Sequence, residues 1–322
     1  MDLFLQLIVL LIAARLMGEA AARIHQPAVV GEILSGILLS LIIAAFFSDV
    51  PILAALPQSE TVRDFADLGV FFLVLYVGID MQPRELSRHS GAPLAVAAGG
   101  LALPLAAGFG FGWLMLPDTP AKPALALLIA VALSISAVPV AAKIFMDLGL
   151  LHHRIGRTVV SAAIFDDLLG LVLLALLTAF VETGHLPDAS ALLWLLLKMA
   201  IFFEITVSFS IVVYRPAARW LGRLHSISAR FSALLVVGLS FAVLAEVLGL
   251  HFILGAFMAG LFFERRRVGR HAYREIRETV NRVTSGFLGP IFFATIGLAF
   301  EPAAIAAVPV FVAALILIGC FG

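Results

Sequence analysis

Long apolar runs separated by short polar segments make up most of this chain. An apolar run of about 17–25 residues is long enough to cross the roughly 30 Å hydrocarbon core of a bilayer as an α-helix. The pattern predicts eleven such helices, of which the ninth is short. They are residues 3–24, 27–46, 65–82, 93–115, 122–147, 157–181, 190–214, 230–249, 251–263, 284–299 and 304–322. We therefore expect an all-α, polytopic membrane protein.

The composition supports this expectation and excludes several other classes. Apolar residues make up 62% of the 322 residues and charged residues only 13%, which is far from the usual composition of a soluble protein. The 21 basic side chains balance the 21 acidic ones, so nucleic acid is not an expected partner. Cys320 is the single cysteine of this sequence, which excludes an internal disulfide and a cysteine metal site.

The basic residues between the predicted helices indicate an orientation. If the N-terminus is outside, the cytoplasmic segments include Arg154, Arg157 and the arginine-rich segment 265–282, whereas the external segments carry only Arg63 and Lys122. Lys and Arg concentrate in cytoplasmic loops of membrane proteins. We therefore expect an integral protein of the lipid bilayer, in a bacterial inner membrane, with its N-terminus outside. The segment 265–282 is interpreted as a loop that carries this topology signal.

Two segments of the chain recur later in the same order. "VVGEILSGILLS" (29–40) is similar to "ILGAFMAGLFFE" (253–264), and "LGVFFLVLYVGIDMQP" (68–83) is similar, with one gap, to "LGPIFFATIGLAFEP" (288–302). The seventh predicted helix lies between the two units, so the second unit begins on the opposite side of the membrane. Inverted repeats with ion sites near the bilayer midplane are typical of secondary transporters.

The repeat predicts a division of the chain into a first repeat of six helices (1–182), a linker helix with a cytoplasmic loop (183–228), and a second repeat (229–322). The second repeat contains only four predicted helices. We therefore expect a fragment of a longer protein, with a natural eleven-helix chain as the alternative.

Two adjacent acids, Asp166 and Asp167, lie in the otherwise apolar stretch "SAAIFDDLLGLVLLALL". At 1.5 Å per residue from Arg157, Asp166 lies about 14 Å along the helix, near the middle of a core about 30 Å thick. Each acid there costs roughly 2.5–3.5 kcal/mol, which indicates a polar cavity. Neighbouring helix residues point about 100° apart, so the two carboxylates are expected to have different roles. A buried carboxylate that binds either a proton or a small cation is the physical basis of cation/proton exchange.

The preceding helix, 122–147, contains the stretch "ALSISAVPVAAKIF". Pro139 lacks a backbone donor and interferes with the turn before it, so the helix is expected to be interrupted at mid-membrane. Ser134 and Ser136 add hydroxyl groups just upstream. Interrupted backbone at this depth is tolerated beside protein or a water-filled cavity, where its freed carbonyls can bind a cation.

Together, the stretch from "ALSISAVPV" to "FDDLLGLVLLAL" and the two repeated segments resemble the monovalent cation/proton antiporter superfamily of sodium/hydrogen exchangers, in its Asp–Asp branch. The likeness covers essentially the whole chain. It implies thirteen helices, a homodimer, and a core domain that exposes its site to each side in turn. It also implies that Asp167 carries the cation and the proton, that Asp166 pairs with a basic residue, and that Ser136 lines the site.

The sequence departs from this pattern in one respect. The resemblance places the basic partner of Asp166 near the last helix, 304–322, which contains no Lys or Arg. We therefore expect that partner beyond residue 322, and we expect the 322-residue chain by itself not to transport. The expected ligands are a proton and a monovalent cation bound at Asp167, Na⁺ or else Li⁺ or K⁺, with no cofactor.

Three further charged residues are secondary candidates: Glu204 near the middle of the seventh predicted helix, Lys143, and Glu32. Glu204 is interpreted as a structural, lipid-facing or dimer-interface acid. Lys143 is expected either to reach the cytoplasmic interface or to stabilise an end of the interrupted helix. Glu32 and Glu246 lie near helix ends, where water is within reach, although Glu32 also suits a cytoplasmic funnel.

Other functions fit the sequence less well than antiport. An intramembrane aspartyl protease needs its two acids on different helices, whereas here they are adjacent on one helix. An organic-anion symporter would favour neutral polar residues in place of the pair. A non-transporting sensor on a similar fold would have the same hydropathy. The sequence thus favours a secondary antiporter and not an enzyme.

Overall fold

The computed structural model of the protein describes residues 2–47, 49–81, 91–119, 121–135, 138–151, 153–183, 189–210, 212, 226–263 and 269–300, and over these ranges it contains helices and turns but no strand. The helices are α1 (Asp2–Arg23), α2 (Ala28–Phe46), α3 (Pro51–Ala54), α4 (Glu60–Asp80), α5 (Gly91–Met115), α6 (Lys122–Ser134), α7 (Val138–Asp147), α8 (Arg154–Thr183), α9 (Ala189–Phe209), α10 (Ile227–Val247), α11 (Phe252–Phe262), α12 (Arg270–Val283) and α13 (Gly289–Leu298). A 3₁₀ turn, Leu56–Gln58, precedes α4, and a π-helical turn, Thr284–Leu288, joins α12 to α13.

Several of these helices have the length and apolarity that a membrane span requires. They cover 3–23, 28–46, 93–115 and 228–247, together with the segment 122–147, whose residues 136 and 137 are not described. The prediction of a helical protein with several apolar helices is confirmed. The predicted helix 304–322 and the end of the predicted helix 190–214 lie outside the described residues.

The start of α4 differs from the prediction. The helix begins at Glu60, whereas the apolar pattern begins at residue 65. Ser59 caps it by accepting a hydrogen bond from the amide of Val62, so the charged first turns are helical as well. The apolar pattern excluded these turns because their side chains are polar, not because their backbone is irregular.

The prediction of a loop throughout 265–282 is wrong, because α12 occupies most of that segment. Ala272, Ile276 and Val280 repeat every four residues, form one stripe of the helix, and are buried with exposures of 2%, 0% and 0%. This stripe was not recognised in the sequence because the arginines on the other faces of the helix interrupt any continuous apolar run. The helix therefore owes its position to a narrow apolar face packed against α4 and α10.

Two helical hairpins, α1–α2 and α10–α11, turn through the same backbone geometry. His25 in the first and Gly249 in the second have φ values of 60° and 76°, in the left-handed region. In both turns the amide of the next residue donates to a carbonyl five residues earlier, which closes the end of the first helix. The two hairpins are thus built alike.

Two close helix crossings also resemble each other. The α2 and α13 helices meet at Gly36 and Gly297, and α4 and α11 meet at Gly78 and Gly260. A Cβ atom added at Gly36 would lie 2.8 Å from the Cα of Gly297, and one at Gly78 would lie 3.1 Å from the Cα of Gly260. Glycine at both partners allows the two backbones to approach closely, as is common between membrane helices. In the alignment of the repeated segments, Gly36 corresponds to Gly260 and Gly78 to Gly297.

Candidate functional site

The predicted interruption of helix 122–147 is present in the structure. The α6 helix ends at Ser134, Ile135 has an extended backbone, and α7 begins at Val138. Pro139 is the second residue of α7, where its missing N–H would have no intrahelical partner in any case. Proline therefore starts the second half of this helix and does not merely bend a continuous one.

Ser134 is 3% exposed, and its hydroxyl donates to the carbonyl oxygen of Val131 at 3.0 Å. This hydrogen bond lies within the last turn of α6. The hydroxyl oxygen can still accept a hydrogen bond or bind a cation next to the break. Ser136, the other predicted hydroxyl, lies outside the described residues.

The α8 helix places the two aspartates in different environments. Asp166 is buried, with 4% exposure, whereas Asp167 is partly exposed. The approximately 100° between adjacent helix positions separates them, so one carboxylate points into the protein and the other toward more accessible space. The two side chains therefore differ in exposure, and their separate roles stay a prediction.

The break packs against α8 one helical turn from the aspartates. A Cβ atom added at Gly170 would lie 3.4 Å from the side-chain carbons of Ile135, so Ile135 packs directly over Gly170. Gly170 is one helical turn beyond Asp166 on the same face of α8. The α5, α6 and α7 helices all pack against α8 and surround this region.

Charged side chains form a second group, which includes two of the secondary candidates. Lys143 on α7 is 6% exposed and its Nζ atom lies 2.6 Å from Oδ1 of Asp147. Glu32 on α2 is 1% exposed and interacts electrostatically with Lys143, Arg15 and Asp147. The expectation that water reaches Glu32 is therefore wrong for the described part of the protein, because the packing of α1, α2 and α7 covers the end of α2. The spacing of Lys143 and Asp147, four residues apart, was a sequence signal for their pairing.

A third charged contact joins α4 to α12. Arg277 donates two hydrogen bonds to the carboxylate of Asp80, from Nε to Oδ1 and from Nη2 to Oδ2, the second at 2.9 Å. These hydrogen bonds raise the pKa of Arg277 above its usual range. The guanidinium also lies 5.3 Å from the ring centre of Tyr76, and the Tyr273 hydroxyl donates to the carbonyl of Ile79 at 2.7 Å. No local pattern in the sequence indicates this contact, because 197 residues separate the two charges.

The remaining candidates lie apart from the aspartates. Glu204 is exposed on α9 and accepts a hydrogen bond of 2.9 Å from the Ser208 hydroxyl. Glu246 is exposed near the end of α10. The exposed position of Glu204 is compatible with a lipid-facing or dimer-interface role, and that role stays a prediction.

Comparison with known proteins gives a consistent picture. The chain matches a family described as "sodium/hydrogen exchanger, transmembrane" over residues 7–321. It is 29% identical over 297 residues to the Na⁺/H⁺–K⁺ antiporter GerN of Bacillus cereus, which covers 92% of this chain and 71% of that protein. It is 31% identical over 307 residues to cation/H⁺ antiporter 17 of Arabidopsis thaliana, covering 92% of this chain and 36% of that protein. The high-affinity Na⁺/H⁺ antiporter NhaS3 of Synechocystis is 26% identical over 322 residues, with 91% and 67% covered.

Proposed function

The chain belongs to the sodium/hydrogen exchanger family, and from this premise we propose that it exchanges a monovalent cation for protons across a membrane. The family consists of transporters, so the protein is not an enzyme, and the intramembrane aspartyl protease is set aside. The similar proteins named above are Na⁺/H⁺ or cation/H⁺ antiporters. Na⁺ is the proposed cation, with Li⁺ and K⁺ as the alternatives.

The single observation that carries the mechanism is the partly exposed Asp167 on α8, the helix that packs at Gly170 against Ile135 in the break between α6 and α7. A carboxylate in this setting has two alternative ligands of the same charge, a proton and a hard cation that prefers oxygen. Because one carboxylate cannot bind both fully, arrival of the cation releases the proton and arrival of the proton releases the cation. This competition is the proposed exchange step.

The burial of Asp166 supports a separate role for it. A carboxylate with 4% exposure is poorly placed to exchange ligands with water. A buried acid is retained in a membrane protein when it interacts with an opposite charge or a hydrogen-bond donor. We therefore assign Asp166 to an interaction with a basic residue, and Asp167 to carrying the cation and proton. Ser134, Ser136 and the backbone freed before Pro139 are the proposed additional oxygen ligands.

Alternating access between two inverted repeats is the proposed means of transport. Two observations support the repeat: the α1–α2 and α10–α11 hairpins share one turn geometry, and the crossing at Gly36 and Gly297 corresponds to that at Gly260 and Gly78. A pair of equivalent crossings is what a two-fold axis in the membrane plane would produce. The proposed orientation has the N-terminus outside a bacterial inner membrane, and the proposed assembly is a homodimer.

The test is Asp167→Asn in the complete gene product, reconstituted into liposomes with an imposed pH gradient. Addition of Na⁺, Li⁺ or K⁺ should dissipate the gradient in the wild type and should not do so in Asp167→Asn, because an amide binds neither a proton nor a cation tightly. Asp118→Asn is the matched control, since the side chain of Asp118 is 95% exposed in the turn between α5 and α6. Exchange by Asp167→Asn at the wild-type rate would refute the role of Asp167, and lack of response to every monovalent cation in the wild type would refute antiport.

A further inference from the structure

Glu32 is among the most deeply buried charged residues that the structure describes. It lies one turn into α2, is 1% exposed, and its Oε2 atom has no hydrogen-bond partner within the described ranges. Its side chain packs near Gly18 of α1, where a Cβ atom would lie 3.3 Å from Cγ of Glu32. An ionised carboxylate held in this way is unfavourable unless it binds a proton or gains an opposite charge.

Three charged groups act on Glu32 from the helices packed around α2. After burial itself, the charge of Lys143 on α7 acts most strongly on the Glu32 carboxylate, followed by the charges of Arg15 on α1 and Asp147 on α7. The α3 and α13 helices also contact α2 but contain no titratable residue. Arg15 is engaged elsewhere, because its guanidinium donates to the carbonyl of Ser285 in the π-helical turn. Lys143 is therefore the cation best placed to compensate Glu32.

Two carboxylates, those of Asp147 and Glu32, interact electrostatically with Lys143, but an ion pair is formed with Asp147 alone among the described residues. Its Nζ atom lies 2.6 Å from Asp147, whereas it makes no ion pair within 4.0 Å of Glu32 in the described structure. The ammonium group has three donors on a flexible four-carbon chain, so it can turn from one acid to the other. When Glu32 holds a proton it is neutral, and Lys143 remains with Asp147. When Glu32 loses the proton, its negative charge attracts Lys143.

The position of α7 gives this exchange a consequence for transport. The α7 helix is the second half of the interrupted helix, and it packs against both α2 and α8. On the α2 side, Val29 and Ile33 meet Val140 and Ile144 in a small apolar cluster. A change in the attraction between Lys143 and Glu32 therefore acts on a helix that also packs against α8, which carries the aspartate pair.

We propose that Glu32 is a second proton-binding site of the protein, separate from the aspartate pair, and that Lys143 moves between Asp147 and Glu32 as this site gains and loses its proton. The inference rests on the proposed function only in its effect on exchange. The proton balance is simple: Glu32 takes up one proton and becomes neutral, and Lys143 stays charged in both states.

The direct test is infrared difference spectroscopy of the complete protein in lipid, recorded against pH. The wild type should show the carbonyl band of a protonated carboxyl group, part of which disappears in Glu32→Gln and persists in Asp167→Asn and in the control Glu19→Gln. Glu19 lies on α1 with a side chain that is 67% exposed, so it is not enclosed by other helices as Glu32 is. If Glu32→Gln leaves the difference spectrum unchanged, Glu32 does not bind a proton and the proposal is wrong.

Two neighbouring variants test the motion of Lys143 with opposite signs. Asp147→Asn releases Lys143 to Glu32, so the midpoint of the Glu32 band should move to lower pH. Lys143→Met removes the compensating cation, so the midpoint should move to higher pH. In exchange assays, Glu32→Gln should lose one step of the pH profile that Glu19→Gln retains. Shifts of the same sign, or none, would overturn the role of Lys143, and an unchanged pH profile in Glu32→Gln would overturn the link to exchange. The spectra do not depend on transport, so failure of the proposed function would appear separately in the liposome assay.

Discussion

The crossing of α4 and α11 at Gly78 and Gly260 leads to a prediction about stability. In Gly78→Ala, the new methyl group would lie 2.9 Å from the amide nitrogen of Leu261 and 3.1 Å from the Cα of Gly260. It would lie closer still to the carbonyl oxygen of Phe257. All three contacts are with backbone, which cannot rotate away as the end of a side chain can. The two helices must therefore move apart.

The magnitude follows from two opposing terms. Contacts between carbon atoms are optimal at about 3.5–4.0 Å, so the helices would separate by roughly 0.5–1 Å. Overpacking of this kind costs about 1–3 kcal/mol. Against this, replacing glycine by alanine within a helix gains about 1 kcal/mol of helix propensity. The interface is densely packed, with Leu75 and Ile79 at 0% and 2% exposure, so little relaxation is available. The overpacking cost therefore lies in the upper part of its range, and we expect Gly78→Ala to be less stable than the wild type by about 1–2 kcal/mol.

The matched control is Gly99→Ala on α5. An added Cβ atom there meets nothing within 4 Å, so only the helix-propensity gain remains and stability should rise slightly. The measurement is thermal unfolding of the two variants and the wild type in the same detergent. Gly36→Ala should behave like Gly78→Ala, because its Cβ atom would lie 2.8 Å from the Cα of Gly297. If Gly78→Ala unfolds at the same temperature as Gly99→Ala, the glycine crossing does not limit the helix spacing.

Three further predictions concern the charged contact of α4 with α12 and the first hairpin. Arg277→Met should destabilise the protein by about 3 kcal/mol in the same unfolding assay, near the lower end for a broken buried ion pair because the Arg277 side chain is 29% exposed. Adding Asp80→Asn to this variant should recover most of the lost stability, because no unpaired carboxylate then remains buried. Tyr273→Phe should lower the free energy of unfolding by about 1 kcal/mol, because it removes one hydrogen bond to the carbonyl of Ile79 at the end of α4. An unchanged free energy of unfolding would show that water replaces the tyrosine hydroxyl. His25→Gly should raise the unfolding temperature, because a residue with a side chain at φ 60° costs about 1 kcal/mol relative to glycine. An unfolding temperature below that of the wild type would contradict the turn geometry.

The candidate site was partly accessible from the sequence because its strongest signals are local. Two acids in an apolar run and a proline in the preceding helix are visible without knowledge of the fold, and Asp166, Asp167 and Pro139 were identified in this way. The difference in exposure between the two aspartates also follows from helix geometry alone, which separates neighbours by about 100°.

The partners of the charged residues could be predicted only where they were close in sequence. The pairing of Lys143 with Asp147 follows the four-residue spacing of a helix. In contrast, Asp80 and Arg277 belong to helices far apart in the chain, and the arginines of 265–282 were interpreted only as a topology signal. The α12 helix was missed for the same reason, because its apolar stripe is meaningful only against the surface that it covers.

The sequence by itself determined which segments are apolar helices, where two acids lie among them, and where one helix is interrupted. Each of these depends on the transfer of individual residues from water to lipid or on the backbone of a single proline, and such terms are local. The tertiary structure decided which helices cross and which charges meet. Helix crossings depend on how closely two backbones approach, as at Gly36 and Gly297. The burial of Glu32 depends on the packing of both α1 and α7 against α2. Those terms involve residues distant in sequence, so no single segment contains them.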